Sequence, residues 1–120
     1  MNRGRKISGG KYHKQRKKKL YEHKGQQRPV ILGETKRKQL RVMGGNFKVV
    51  LLKADIVHVS DGKKVSRATI KNVEETPQNK FLARQNRLMK GALIETSLGR
   101  ARITNRPSQE GCVNAVLLPS

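Results

Sequence analysis

Apolar side chains are sparse in the first forty residues and gather into short runs afterwards. Residues 11–24 offer only Tyr12, Leu20 and Tyr21 as apolar bodies, which is too few for an amphipathic helical face. Arg41–Val42–Met43 reads as a short strand, broken at Gly44–Gly45–Asn46. Residues 47–59 make a long strand candidate whose apolar positions keep no single phase. Phe47, Val49 and Leu51 lie on one face, and Val50, Leu52, Ala54 and Ile56 on the other. That pattern predicts burial on both faces or a bulge in a strongly bent sheet. Asp61–Gly62 is the strongest hairpin signal, because both central positions of a type I′ turn need positive φ. The return strand spans 65–73, with Ala68 and Ile70 pointing one way and Arg67, Thr69 and Lys71 the other.

Thr76–Pro77 reads as a helix N-cap followed by proline at the first helical position. Phe81, Leu82, Gln85, Leu88 and Met89 then follow helical spacing, which places Phe81, Leu88 and Met89 in the core. Lys80, Arg84 and Arg87 fall on another face, open to phosphate or to water. Gly91 stops the helix. Strands 92–98 and 101–106 follow, with Gly99–Arg100 as a two-residue type II′ turn. This register pairs Leu98 with Ala101, Thr96 with Ile103 and Ile94 with Asn105. On the opposite face Arg100, Arg102 and Arg106 form a stripe, and Glu95 is the one nearby carboxylate on the partner strand. One carboxylate does not neutralise three guanidiniums, so the stripe is expected to face phosphate. Residues 109–111 turn the chain into a last apolar strand, 112–118.

Close strands joined by tight turns pair antiparallel, and so small a sheet handles its edges by curling. The expected fold is mainly β: a small antiparallel β-barrel-like domain with one short helix over residues 41–120. A basic, largely extended arm over residues 1–40 precedes it.

Charge sharpens this division. The chain holds 28 Lys and Arg against 8 Asp and Glu, a formal net charge of +20 in 120 residues. Met1–Lys48 carries 16 basic and 2 acidic residues, a net of +14, which leaves +6 for the rest. Such an arm repels itself and becomes compact only beside a dense polyanion. An anionic membrane surface would call for an apolar helical face opposite the basic one, and residues 11–24 lack it. No stretch approaches the ~20 apolar residues of a membrane span, and no apolar segment follows the basic start to make a secretory signal. Nucleic acid is the favoured partner.

The candidate contacts follow from charge and backbone. In the arm they are Arg3, Arg5, Lys6, Lys11, His13, Lys14, the run Arg16, Lys17, Lys18 and Lys19, then Lys24 and Arg28. Ser8, Gly9 and Gly10 either present successive N–H groups to a phosphate or serve as a flexible link. Lys36, Arg37, Lys38 and Arg41 continue the basic theme into Gly44, Gly45, Asn46 and Lys48. Arg84 and Arg87 add a helical face, and Arg100, Arg102 and Arg106 the stripe.

Catalytic chemistry has no residues to stand on. His13, His23 and His58 are scattered, two of them in an arm with no core to fix their geometry for acid–base cleavage. Cys112 is the single cysteine, so it makes no intramolecular disulfide, and it reads as a packing residue beside Val113 in a reducing compartment. One cysteine with scattered histidines does not make the four-ligand cluster of a zinc site. The four aromatics Tyr12, Tyr21, Phe47 and Phe81 are a thin supply for stacking bases, and the two phenylalanines are expected to be buried. No helix-turn-helix precedes Arg84–Arg87. What remains is phosphate and 2′-hydroxyl contact, which is shape recognition of structured RNA. Basic compaction of DNA is the alternative binding reading.

Three blocks carry a family resemblance. The first is Arg5-Lys6-Ile7-Ser8-Gly9-Gly10-Lys11-Tyr12 with the Arg/Lys run after it. The second is Arg41-Val42-Met43-Gly44-Gly45-Asn46-Phe47-Lys48. The third runs from Lys90-Gly91-Ala92-Leu93-Ile94-Glu95-Thr96-Ser97-Leu98-Gly99-Arg100 through Ala101-Arg102-Ile103-Thr104-Asn105-Arg106-Pro107 into Gly111–Leu118. Together they resemble the small-ribosomal-subunit protein eight family of the archaeal and eukaryotic type, over essentially the full length. Ser8 stands where the family usually has threonine. The long internal insertion of the eukaryotic members is absent, so the chain looks like the archaeal form. The resemblance implies a cytoplasmic component of the small ribosomal subunit, bound to its ribosomal RNA beside neighbouring small-subunit proteins. It implies no catalysis, no cofactor, no small-molecule substrate and no membrane.

Overall fold

Residues 47–59 hold two strands rather than one, and within the first the adjacent Val50 and Leu51 are both buried, the expected burial on both faces. A computed structural model describes residues 4–119. In it, β3 (Phe47–Ala54) and β4 (Ile56–Ser60) meet at Asp55 and belong to different sheets. β3 is the central strand of a three-stranded sheet, flanked by β1 (Ile31–Leu32) and β2 (Lys36–Arg41). β4 opens a closed barrel with β5 (Val65–Glu75), β6 (Leu93–Thr96), β7 (Gly99–Ile103) and β8 (Asn114–Leu117). Successive barrel strands are antiparallel, and five is an odd number. The first and last therefore run the same way, and closure comes through a parallel β4–β8 pair, with His58 opposite Asn114 and Val59 opposite Ala115.

Small and β-branched residues fill the interior. Val57 faces Ala68, Ile94 faces Ala101 and Ile103 faces Ala115, so each bulky side chain meets a small one across the ladder. All six are buried. Each Val or Ile there contributes about 1.5–3 kcal/mol relative to exposure. Val30, Leu51, Leu88 and Val113 extend the same core.

Several local expectations shift. Ser60 pairs with Val65, so the 61–64 loop has four residues, closed by the Asp61 N–H on the Lys64 carbonyl at 3.0 Å. The second hairpin turns at Ser97–Leu98 rather than Gly99–Arg100, with Thr96 opposite Gly99 and Ile94 opposite Ala101. The Thr96 hydroxyl accepts from the Leu98 N–H at 3.2 Å and donates to the Gly99 carbonyl at 2.7 Å. That local turn, together with barrel closure, sets the register. The slip is four residues, an even number, so the inward set is the expected one.

The helix is short: α1 (Lys80–Arg84). Asn79, not Thr76, is the N-cap, its Oδ1 accepting from the Phe81 N–H at 3.0 Å. Asn86 ends the helix at φ 51, well before Gly91. Its N–H bonds the Ala83 carbonyl at 3.0 Å and that of Arg87 bonds Leu82 at 3.2 Å, the paired closure of a Schellman motif. Leu88 is buried and Met89 half-buried, but Phe47 and Phe81 are 64% and 67% exposed, against the expectation that both lie in the core.

The residues 41–43 expected as a strand instead close β2 and lead into a tight tip, Met43–Gly45, where Gly44 and Gly45 take φ of 75° and 73°. The strand lies earlier, at Lys36–Arg41, so the expected division between residues 40 and 41 falls inside β2. Val30 is already core, and its carbonyl accepts from the Leu88 N–H at 2.8 Å. Upstream, residues 4–27 are exposed without exception. The radius of gyration is 21.5 Å, against about 14 Å for a compact chain of this length.

Candidate nucleic-acid interface

Residues 4–27 carry nine basic side chains and one acidic, Glu22. None is packed against the barrel. Only short local closures order the segment. Arg5 and Lys11 form an isolated antiparallel bridge around a turn in which the Gly9 N–H bonds the Lys6 carbonyl and the Lys6 N–H bonds that of Gly10, each at 2.8 Å. The Arg5 guanidinium caps the Gly9 carbonyl at 3.1 Å. The Gly9 N–H is thus engaged within the turn, while Lys6, Ser8, Gly10 and Lys11 stand outward. Farther on, Glu22 accepts from Arg16 at 2.7 Å and from the Lys19 N–H at 2.9 Å, folding a single 3-10 turn, Leu20–Glu22. The Arg16 hydrogen bond, then that of the Lys19 backbone, holds the Glu22 carboxyl below its ordinary 4.5. His13, Lys14, Lys17, Lys18 and Lys24 project into solvent. Lys6 and Lys19 lie over the rings of Tyr12 and Tyr21, at 5.8 and 6.0 Å. Arg3 lies outside the described residues.

Where the arm meets the body, distant basic residues converge. Residues 30–32 pair with 86–88 on one side and with β3 on the other. This seam brings Arg28, Arg87, Lys90 and Arg106 to the lining of one cavity of about 600 Å³ that includes no Asp or Glu. Arg87 was expected on a helical face with Lys80 and Arg84. The Asn86 stop instead sends it away from α1 and into this cavity. Lys90 was missed by sequence reasoning. It sits at the start of the third family block, directly before Gly91, but its spacing showed no pattern.

The β2–β3 hairpin adds a second basic surface. Lys36 stands opposite Lys53, a like-charge cross-strand pair that repels unless an anion lies over it. Arg37 donates from Nε to the Gly111 carbonyl at 2.8 Å, which ties the hairpin to the segment before β8. A Cβ on Gly111 would lie 3.1 Å from Val49, so the two pieces meet closely there. Lys48 bonds the Gln109 side chain. Lys38, Arg41, Gly44, Gly45 and Asn46 remain exposed along and at the tip of the hairpin, beside the exposed Met43 and Phe47. Arg84 is also exposed and lies 5.9 Å from the centre of the Phe81 ring.

The arginine stripe is not laid out as expected. Arg100 and Arg102 share the outer face of β7, but Arg106 lies beyond the strand, at the cavity. Glu95 faces Arg100 across the β6–β7 ladder, and Glu74 of β5 also reaches it, accepting from Nε at 2.8 Å. The hydrogen bond and charge of Glu74, with a smaller contribution from Glu95, raise the Arg100 pKa. Two carboxylates therefore serve Arg100, where the sequence reading allowed only Glu95. Arg102 makes no side-chain ion pair among the described residues.

Among the described residues no three His, Cys, Asp or Glu side chains group to hold a metal ion, and no helix is long and apolar enough to cross a membrane. Cys112 is a half-buried thiol.

The family model described as Ribosomal protein S8e matches residues 1–118. The chain is 44% identical over 116 residues to the small ribosomal subunit protein eS8 of Methanocorpusculum labreanum, covering 95% of this chain and 93% of the relative. It is 43% identical to the protein of that name from Methanocella arvoryzae, with the same coverage. To the Haloarcula marismortui protein it is 42% identical over 114 residues, again covering 95% and 93%.

Proposed function

The chain belongs to the Ribosomal protein S8e family, structural components of the ribosome and not enzymes, and on that footing we propose that it is a constituent of the small ribosomal subunit that binds ribosomal RNA through phosphate and shape contacts. Its place is then the cytoplasm, in the ribosome, beside neighbouring small-subunit proteins. The observation that carries this reading is the 4–27 segment: nine cations and one anion, exposed throughout, joined to a body with its own core. A segment with no core of its own gains order from a surface that supplies countercharge, and a folded RNA offers phosphates on several sides of a threaded chain. The hairpin tip at Gly44–Asn46, the lysines and arginines of β2, Arg84 and Arg102 extend the contact onto the body. Backbone and guanidinium donors there meet phosphate without reading base sequence.

The test is competition. A fluorescent small-subunit RNA fragment is bound to the protein and challenged with unlabelled RNA or with duplex DNA of equal phosphate content. The reading expects RNA to compete at least tenfold better, and the protein to stay with small subunits through a high-salt wash. Equal competition by DNA, or release at low salt, would replace it with general polyanion binding or DNA compaction.

A further inference from the structure

The cavity at the arm's root has more shape than phosphate tracking needs. Its walls come from three stretches of the chain, 25–30, 87–90 and 106–109, together with Gln78. Arg28 and Arg106 each precede a proline, Pro29 and Pro107. A pre-proline residue is confined to extended backbone, so both arginines are launched from stiffened positions. Pro107 is fully buried, and its carbonyl accepts from the Leu51 N–H at 3.2 Å, which anchors that wall to β3.

One atom is out of balance. Arg28 Nε is buried and has no hydrogen-bond partner among the described residues. A buried guanidinium N–H without an acceptor is costly, and an anionic oxygen is the acceptor it pairs with best. No Asp or Glu lines the cavity to supply one. The remaining surface is of two kinds. Met89, half-buried, brings an apolar body to it, over the buried Leu88. Gln78 donates to the Lys90 carbonyl, leaving its amide oxygen as an acceptor, and Gln109 accepts from Lys48, leaving its amide hydrogens as donors. A lone phosphate uses neither the apolar surface nor the two half-used amides. The volume, about 600 Å³, falls in the range of sites that enclose a small organic molecule.

We propose that this cavity seats a single nucleotide unit: a phosphate on the Arg28 guanidinium with Arg87, Lys90 and Arg106 around it, and a base against Met89 with its edge toward the two glutamines. The unit is one unpaired nucleotide extruded from bound RNA, or the same group as a free nucleotide. The RNA form rests on the RNA-binding reading above.

The test uses the full chain and two RNA hairpins that differ by one bulged nucleotide. A seated phosphate gives the buried Arg28 guanidinium the charged acceptor it lacks, so wild type should prefer the bulged hairpin about tenfold. Arg28→Lys keeps the charge but removes the planar guanidinium. It should lower affinity for the bulged hairpin about tenfold more than affinity for the plain hairpin, a difference between the two RNAs that a loss of phosphate neutralisation alone does not produce. Arg106→Lys serves as the second variant if Arg28→Lys melts earlier than wild type. AMP should abolish the preference and shift the Arg28 Nε–H resonance, while inorganic phosphate at the same concentration should not. AMP binding without any bulge preference in RNA would assign the seat to free nucleotide. Equal binding of both hairpins with no AMP effect would overturn the proposal and leave RNA binding standing. Phosphate acting as well as AMP would reduce the site to an anion hole and overturn it too. Failure to bind either hairpin would remove the RNA reading itself, and the RNA-borne form of the seat with it.

Discussion

Arg100 on β7 reaches across β6 to Glu74 on β5, its Nε 2.8 Å from the carboxylate. Glu95 stands opposite Arg100 as well. Three of the chain's eight acidic residues, Glu74, Glu75 and Glu95, lie on β5 and β6. The pair is solvent-exposed and adds little to stability. Its effect is to withhold one guanidinium from phosphate.

Removing the acid should therefore release the base. Glu74→Gln is expected to strengthen RNA binding a few-fold at low salt, with the gain fading as salt rises. Arg102→Gln should weaken binding more than Arg100→Gln does. Fluorescence anisotropy across a salt series checks both. A Glu74→Gln variant that binds no better, or an Arg100→Gln variant weaker than Arg102→Gln, would show that Arg100 meets RNA despite its partner.

The β2–β3 tip is held by backbone shape. Gly45 sits at φ 73° with nothing within 4 Å of where a Cβ would lie, so a substitution there meets only conformational cost. Gly45→Ala should destabilise by about 1–2 kcal/mol. Gly45→Asn should cost less, since asparagine tolerates the left-handed region. Urea unfolding measures both, and an alanine variant as stable as wild type would contradict the geometry.

Within the arm, the Arg16–Glu22 closure has a sign in pH. The carboxyl is held below its ordinary 4.5, first by the Arg16 hydrogen bond. A depressed carboxylate stabilises the closed form above its ordinary pKa and loses that contribution as pH falls through the lowered value. The 3-10 turn should persist above about pH 4.5 and open in more acidic solution. In Arg16→Gln the Glu22 titration should move back up. NMR titration of the Glu22 side chain reads this, and an unchanged midpoint in the variant would dismiss the pair.

What was legible in the sequence was what single-residue chemistry dictates. The uncored segment was visible because a run of cations with isolated apolar residues offers nothing to bury. The barrel was visible because β-branched runs alternate with turn residues. The inward set 94, 101 and 103 came through even though the turn was placed two residues late, since an even slip preserves facing. Most of what failed depended on partners distant in sequence. β2 reads Lys-Arg-Lys-Gln-Leu-Arg, one apolar residue in six, and is a strand because β3 supplies its hydrogen bonds. Phe81 fits helical spacing, but α1 ends after five residues at Asn86, so the spacing has no helix to act through. Asn86 was itself a readable stop signal, passed over in favour of Gly91. The gathering of Arg28, Arg87, Lys90 and Arg106 is tertiary and had no local trace. Glu74 lies 26 residues from Arg100, and only the barrel brings them together.

The most direct measurement compares the full chain with a form lacking residues 1–27, in thermal unfolding and in RNA binding. Nothing in 4–27 is buried, so the shortened form should melt within about 3 °C of the full chain. Its RNA affinity should fall on the order of a hundredfold or more, and its log–log salt slope should flatten by about 0.9 for every phosphate the arm had neutralised. A large drop in melting temperature, or RNA affinity that survives the deletion, would contradict the account.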